Sequence, residues 1–275
     1  LRLRRGEGRF DRRVRLDPAL TTRLSDPADA RKEIAQIYDD CRDDRPGSLA
    51  RDDAWWDKLL ADVTRYARDQ ALQCAVVEDG SGPRGYAFLI VRQGWDRESG
   101  IPDNRLTVLE PTTRDPEAYA ALWQHALDRD LVEEVIAPWR PVDEPLLHLL
   151  ADPRRARVRV RDDLWVRVVD VDRALAARAY ARPIDIVIQV TDPTCPWNAG
   201  RWRLAGDESG ATCEHTRDAA DAEVHVRELG AAYLGDADFS GPAGAGLARE
   251  STTGALRALA AAMGWAPKPL CTTMF

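Results

Sequence analysis

Lysine is nearly absent: Lys32, Lys58 and Lys268 are the only ones, so almost all positive charge is arginine, a composition bias that decides nothing about chemistry. A positive excess is lacking as well. With 39 basic and 46 acidic residues the net charge is -7, which argues against nucleic acid or an anionic membrane as main partner and would steer a cation in. No apolar run approaches the ~20 residues that span a bilayer, and no signal-peptide pattern opens the chain. Cys41, Cys74, Cys195, Cys213 and Cys271 are odd in number and contain no Cys-x-x-Cys pair. This argues against a disulfide framework and a structural zinc, and fits reduced thiols in a cytoplasm. His125, His148, His215 and His225 are too scattered for a metal pattern, so no metal ligands are expected. No Ser or Cys sits in a nucleophile-elbow sequence, which disfavours hydrolase chemistry.

What is present is a chain of 275 residues, long enough for two ordinary domains with sizeable cores. Leu1-Arg2-Leu3-Arg4 alternates like a strand in an arginine-rich opening that reads as a charged edge or linker. Asp26-Pro27 starts a helix toward Cys41 that buries Ile34, Ile37 and Tyr38. Asp52 or Asp53 caps a second helix with Trp56, Leu59, Leu60 and Val63 at helical spacing. Residues 72–77 and 86–91 form a hairpin around Asp79-Gly80-Ser81-Gly82-Pro83, and residues 106–109 a third strand. After Asp115-Pro116, the stripe Tyr119, Leu122, Trp123, Ala126 and Leu127 makes an amphipathic helix. Residues 131–136 follow as a strand, 144–150 as a helix and 158–171 as two strand-like runs. This is a mixed α/β layer. A helix over 170–180 opens a second part, with strands at 184–190, 201–204, 211–213 and 223–226 and helices at 229–234, after Phe239 and at 254–263.

Few stretches carry chemistry. Gly241-Pro242-Ala243-Gly244-Ala245-Gly246 matches part of an acyl-CoA pyrophosphate loop, where backbone N–H groups at a helix start receive phosphate. Pro242 lacks a donor and no strand closely precedes it, so it is set aside and no cofactor-binding residue is assigned. Paired acids such as Asp52-Asp53 read as caps rather than cation sites. Nine tryptophans, several at element ends, pack cores by default but can line a cleft. The tail Pro267-Lys268-Pro269-Leu270-Cys271-Thr272-Thr273-Met274-Phe275 cannot continue a helix, and its apolar residues are costly to leave in water, so it should dock. It is either the last strand of a sheet or a placed carboxylate.

Ile37-Tyr38, Arg45-Pro46-Gly47, residues 56–60, residues 143–150, Leu164-Trp165-Val166-Arg167, residues 174–178 and Ala232-Tyr233-Leu234-Gly235 occur in this order in the Eis-like N-acetyltransferases. The chain resembles that family over nearly its whole length. These enzymes carry acetyl groups from acetyl-CoA to aminoglycosides and other amines. The resemblance implies an α/β (α+β) fold. In it, residues 1–18 end an N-terminal GCN5-related acetyltransferase domain and its linker, 19–168 form a related, cofactor-free central domain, and 169–275 a sterol-carrier-protein-like domain. It further implies that acetyl-CoA is held by the preceding domain, so that this chain alone is inactive and Leu1 and Leu3 are left uncovered. The implied partners are that N-terminal domain, a cationic amine (aminoglycoside-like or lysine-like) and further copies in a hexamer. By the same resemblance, the terminal carboxylate of Phe275 is the general base, and Trp56 and Trp165 line the substrate cavity. An ammonium must lose a proton before it attacks a thioester, and a carboxylate within hydrogen-bond reach, directly or through water, can take it. Some relatives carry a glutamate before the final phenylalanine. Met274 stands there in this chain, which weakens the case for a polycationic aminoglycoside. The alternative is a sterol-carrier-like lipid-binding or assembly module without catalysis.

Overall fold

The computed structural model describes residues 1–67 and 70–273, apart from the side chain of Arg65. The chain divides into two compact units, one of Leu1–Arg161 with the tail from Leu270, the other of Asp162–Pro269.

In the first unit the elements are β1 (Arg2–Arg4), β2 (Thr21–Ser25), α1 (Arg31–Arg42), α2 (Asp53–Ala67), β3 (Ala71–Asp79), β4 (Gly82–Arg92), β5 (Asn104–Thr113), α3 (Pro116–Leu127), β6 (Val132–Ile136) and α4 (Leu146–Leu149). They build a six-stranded sheet in the order β1-β6-β5-β4-β3-β2, antiparallel except for the parallel β5–β6 pair. Both faces of the central strands are covered, which is why β3 and β4 read as almost continuous apolar runs. Cys74, Val76, Tyr86, Phe88 and Ile90 cluster with Ile34, Ile37, Tyr38 and Trp56 of the first two helices. Their strand neighbours Ala75, Val77, Ala87 and Leu89 point the other way and cluster with Leu122 and Trp123 of α3 and Leu146 of α4. Asp115 caps α3 as expected, accepting the Ala118 N–H at 2.8 Å. Helix α1 begins at Arg31 rather than at Pro27, because the Asp26 carboxylate accepts the Ala28 N–H and closes a turn there. Leu3 is not uncovered: β1 pairs with β6, which buries it in the cluster of Trp123. Strand β2 is polar and half exposed at the sheet edge, so no period-2 pattern announced it.

The second unit contains α5 (Val171–Ala176), β7 (Ile184–Thr191), β8 (Gly200–Asp207), β9 (Gly210–His215), β10 (Ala222–His225), α6 (Val226–Ala232), α7 (Ser240–Gly244), β11 (Ala248–Glu250) and α8 (Ala255–Met263). Its five strands run in the order β11-β10-β7-β8-β9, with β7 and β10 parallel. One face is apolar: Ile186, Ile188, Val190, Trp202 and Leu204 pack with Leu175, Leu229, Leu259 and Met263. Most alternate positions other than the buried Val187 are polar, Arg203 donating to both Asp185 oxygens at 2.8 and 2.7 Å. Residues 158–171, expected as two strands, contain none. A Cβ on Gly230 of α6 would meet the Val166 carbonyl oxygen at 2.5 Å, so this part of the segment lies against a helix backbone rather than along a sheet edge. Helix α5 is correspondingly shorter than the expected 170–180, and its first N–H is held by the buried Asn198 side chain.

Candidate functional site

The pairing of β4 with β5 shifts between Tyr86↔Thr112 and Phe88↔Leu109, and Glu110, inside that irregularity, has φ +49°. A non-glycine residue in the left-handed region at a bulge has its side chain re-aimed. Here the Glu110 carboxylate accepts from Arg51 Nη1 at 2.7 Å and Nη2 at 2.9 Å, and from the Tyr86 hydroxyl. The Arg51 side chain is 0% exposed. Its guanidinium lies 3.7 Å from the centre of the Tyr38 ring and 4.9 Å from that of Trp56, rings which themselves meet edge to face. Burial opposes the Arg51 charge, but the Glu110 carboxylate outweighs it and holds the guanidinium pKa above its ordinary value. Burial, reinforced by the Glu110 charge, pushes the Tyr86 phenol well up, so it remains a donor. A buried pair of this kind persists only when its charges are bonded: the bidentate geometry and the phenol do this for Glu110, while Arg51 Nε is buried with no partner among the described residues.

The same guanidinium reaches the tail. Arg51 Nη2 donates to Thr272 Oγ1 at 3.0 Å, and the Leu270 N–H donates to the Pro46 carbonyl at 2.9 Å. Gly47 has φ +97°, and a Cβ there would stand 2.8 Å from the Leu270 carbonyl oxygen, so glycine is what lets the two backbones meet. Arg45 is tied to Asp143 at 2.7 Å, and the Tyr38 hydroxyl to the Leu49 carbonyl at 2.8 Å, which fixes the loop that forms the seat. Residues 270–273 form no strand; they dock by these bonds and by burial of Cys271.

Of the expected site residues, Phe275 lies outside the described residues, as does Met274. Trp56 is 2% exposed, a packing partner of Tyr38 and Arg51 rather than an open wall. Trp165 belongs to the second unit and is 81% exposed. Arg51, Tyr86 and Glu110 were missed. Arg51 is one arginine in a chain crowded with them, and the only hint at Glu110 was Pro111 after it, since proline in a strand marks an edge or bulge.

A pyrophosphate needs free N–H groups at a helix start. At α3 the Asp115 carboxylate takes one of them and pairs with Arg84 at 2.8 Å, while Pro116 has none to offer. Gly241–Gly246 lies in and just beyond the five-residue α7, which contains Pro242. Neither start fits a pyrophosphate. Among the described residues no three His, Cys, Asp or Glu side chains group to hold a metal, and no helix is long and apolar enough to cross a membrane.

A doubly covered mixed sheet followed by a one-sided sheet with helices defines a class that the comparisons specify. Residues 47–168 match the model of the acetyltransferase (GNAT) domain, and residues 171–272 that of the sterol carrier protein domain. An uncharacterized N-acetyltransferase of Streptomyces coelicolor is 44% identical over 251 residues, 89% of this chain and 60% of that protein. N-acetyltransferase Eis of Mycobacterium tuberculosis is 34% identical over 246 residues, 88% of this chain and 57% of that protein. The crystal structure of Eis1 from Mycobacterium abscessus superposes with a TM-score of 0.77 at 32% identity, covering 100% of this chain and 67% of that one. The chain belongs to the Eis-like family of GNAT N-acetyltransferases. It spans 57 to 60% of the length of these two curated relatives. The matched domain is itself a GNAT domain, so the expectation of a chain inactive because an acetyltransferase domain is absent is not supported.

Proposed function

We propose that this chain handles the amine side of an acetyl-CoA-dependent N-acetyltransferase, with the terminal carboxylate of Phe275 as general base. The observation that supports this is the docked tail: Thr272 accepts a hydrogen bond from a fully buried arginine, where a chain end of ordinary kind frays. GNAT acetyltransferases use acetyl-CoA, which supplies the thioester. The tail's part is to take the proton that an ammonium must lose before its nitrogen can attack. An α-carboxyl group has a reference pKa of about 3.5, so it is ionised at neutral pH without tuning. The net charge of -7 favours a cationic substrate. Trp56 acts from behind, by holding Arg51 and Tyr38 in place. Met274 adds no carboxylate beside the base, which supports an amine of low charge over an aminoglycoside.

In the full-length protein, deleting Phe275, or appending residues that carry the carboxylate away, should lower kcat by about 10²–10⁴, the usual worth of a placed general base. Phe275→Ala keeps the charge and should cost less. Normal turnover in the shortened or extended protein would refute the assignment.

A further inference from the structure

We infer that the cleft between the approach to β2 and the end of α3, inside the first unit, is a binding site for a small organic carboxylate. Its volume is about 390 Å³, and Leu16, Leu20 and Ala121 give it an apolar side while His125 and Arg129 give it a polar one. What points to an anion is a pair of unmet polar atoms. Arg129 Nη1 and His125 Nε2 are both buried with no partner among the described residues. Other arginines drawn into the protein are met: Arg51 by Glu110 and Arg140 by Glu144, each at 2.7 Å, and Arg178 by the Tyr233 and Met263 carbonyls, both at 2.7 Å. Among the described residues Arg129 donates only to the amide oxygen of Gln73 on β3. Burial therefore pulls its pKa below the ordinary arginine value with no carboxylate to offset it. The carboxylates in the cleft wall are engaged elsewhere, Asp17 by the Ala19 N–H at 2.9 Å and Asp128 by the Gln124 side-chain amide. A ligand carboxylate would supply what is missing. It accepts from two donors at once, here Arg129 and the Nε2–H of a His125 ring in that tautomer, and a charge-assisted bond outcompetes the neutral amide that now holds Arg129. With that tie released, Nη1 can turn from its buried position to the ligand. The apolar side takes the ligand's hydrocarbon part and keeps water from the pair. The net charge of -7 opposes any anion at long range, so the affinity should be modest. Neither Arg129 nor His125 has a place in the proton transfer proposed above.

The test titrates the full-length protein with benzoate at millimolar concentration, followed by saturation-transfer NMR. Saturable binding is expected. Arg129→Met, which keeps much of the side chain's bulk and loses its donors, should weaken it about tenfold or more, the usual worth of a hydrogen bond to a charged group. Benzyl alcohol has the ring without the charge, and inorganic phosphate the charge without the ring; each should bind about tenfold more weakly than benzoate. Gln124→Glu, on the exposed side of the same wall, should weaken benzoate severalfold through like charge, and it decides the matter if Arg129→Met does not fold. No benzoate binding to the parent, or equal binding to the parent and to either variant, overturns the site. Phosphate binding as tightly as benzoate would reveal a bare anion site, and benzyl alcohol binding as tightly an apolar one. Either result overturns the assignment to an organic carboxylate.

Discussion

His125 shows what one residue's surroundings do to its charge. It lies on α3 beside a cleft lined by Leu16, Leu20 and Arg129, and its Nε2 is buried with no partner among the described residues. Burial first, and the Arg129 charge second, push its pKa below 6.5 in the folded state. An unfolded chain then binds the proton at a higher pH than the folded one. Stability should therefore fall as pH drops below about 6.5 and go on falling until the lower, folded-state pKa is passed. His125→Gln should flatten that part of the profile. Melting temperatures of the two proteins across pH 7.5 to 5 would check it, and parallel curves would count against it. The Arg51–Glu110 pair is the opposite case, two charges that cancel within one enclosed site. Arg51→Met should be strongly destabilising, by about 3–5 kcal/mol, because it leaves Glu110 buried and unpaired.

Among the elements, the loop between α1 and α2 has the most specific task. Arg45-Pro46-Gly47 reads in the sequence as a helix stop and as one piece of a family pattern. In the fold it is the seat of the tail: Pro46 accepts the Leu270 N–H, and Gly47 lets the tail backbone pass. Gly47→Ala combines a strained φ of +97° with a Cβ 2.8 Å from a carbonyl oxygen. It should destabilise the first unit by about 1–2 kcal/mol and lift the tail, with faster carboxypeptidase release of the last residues. A variant with unchanged melting and digestion would show that the tail does not depend on this contact. The amphipathic helix α3 was legible from its stripe and its Asp-Pro start, because those signals are local. The edge strand β2 was not, since a polar strand that borrows its pairing from β3 carries no period-2 signature. Residues 158–171 erred the other way: their alternation is real, but Val160 and Val169 stay exposed and no strand takes up the run.

At the scale of the whole molecule, the question is where acetyl-CoA is held. The start of α3 is closed by its own Asp115 and by Pro116, and that of α7 contains Pro242. Gly244→Ala in α7, where a Cβ meets open space, should accordingly leave the acetyl-CoA affinity of the full-length protein unchanged, and a weakened affinity by calorimetry would show that this stretch does cradle the pyrophosphate. The sequence by itself determined the α/β class, the covered strands and the helix stripes, because burial on one or both faces writes itself into residue order. It also carried the family, through short motifs kept in order along most of the chain. Only tertiary structure decided that Glu110, Arg51, Tyr38 and Thr272 share one site, since these four come from a bulge, a loop, a helix and a tail far apart in the chain. Neither composition nor period encodes such an encounter. It arises when a bulge turns one carboxylate inward and a glycine lets the tail approach.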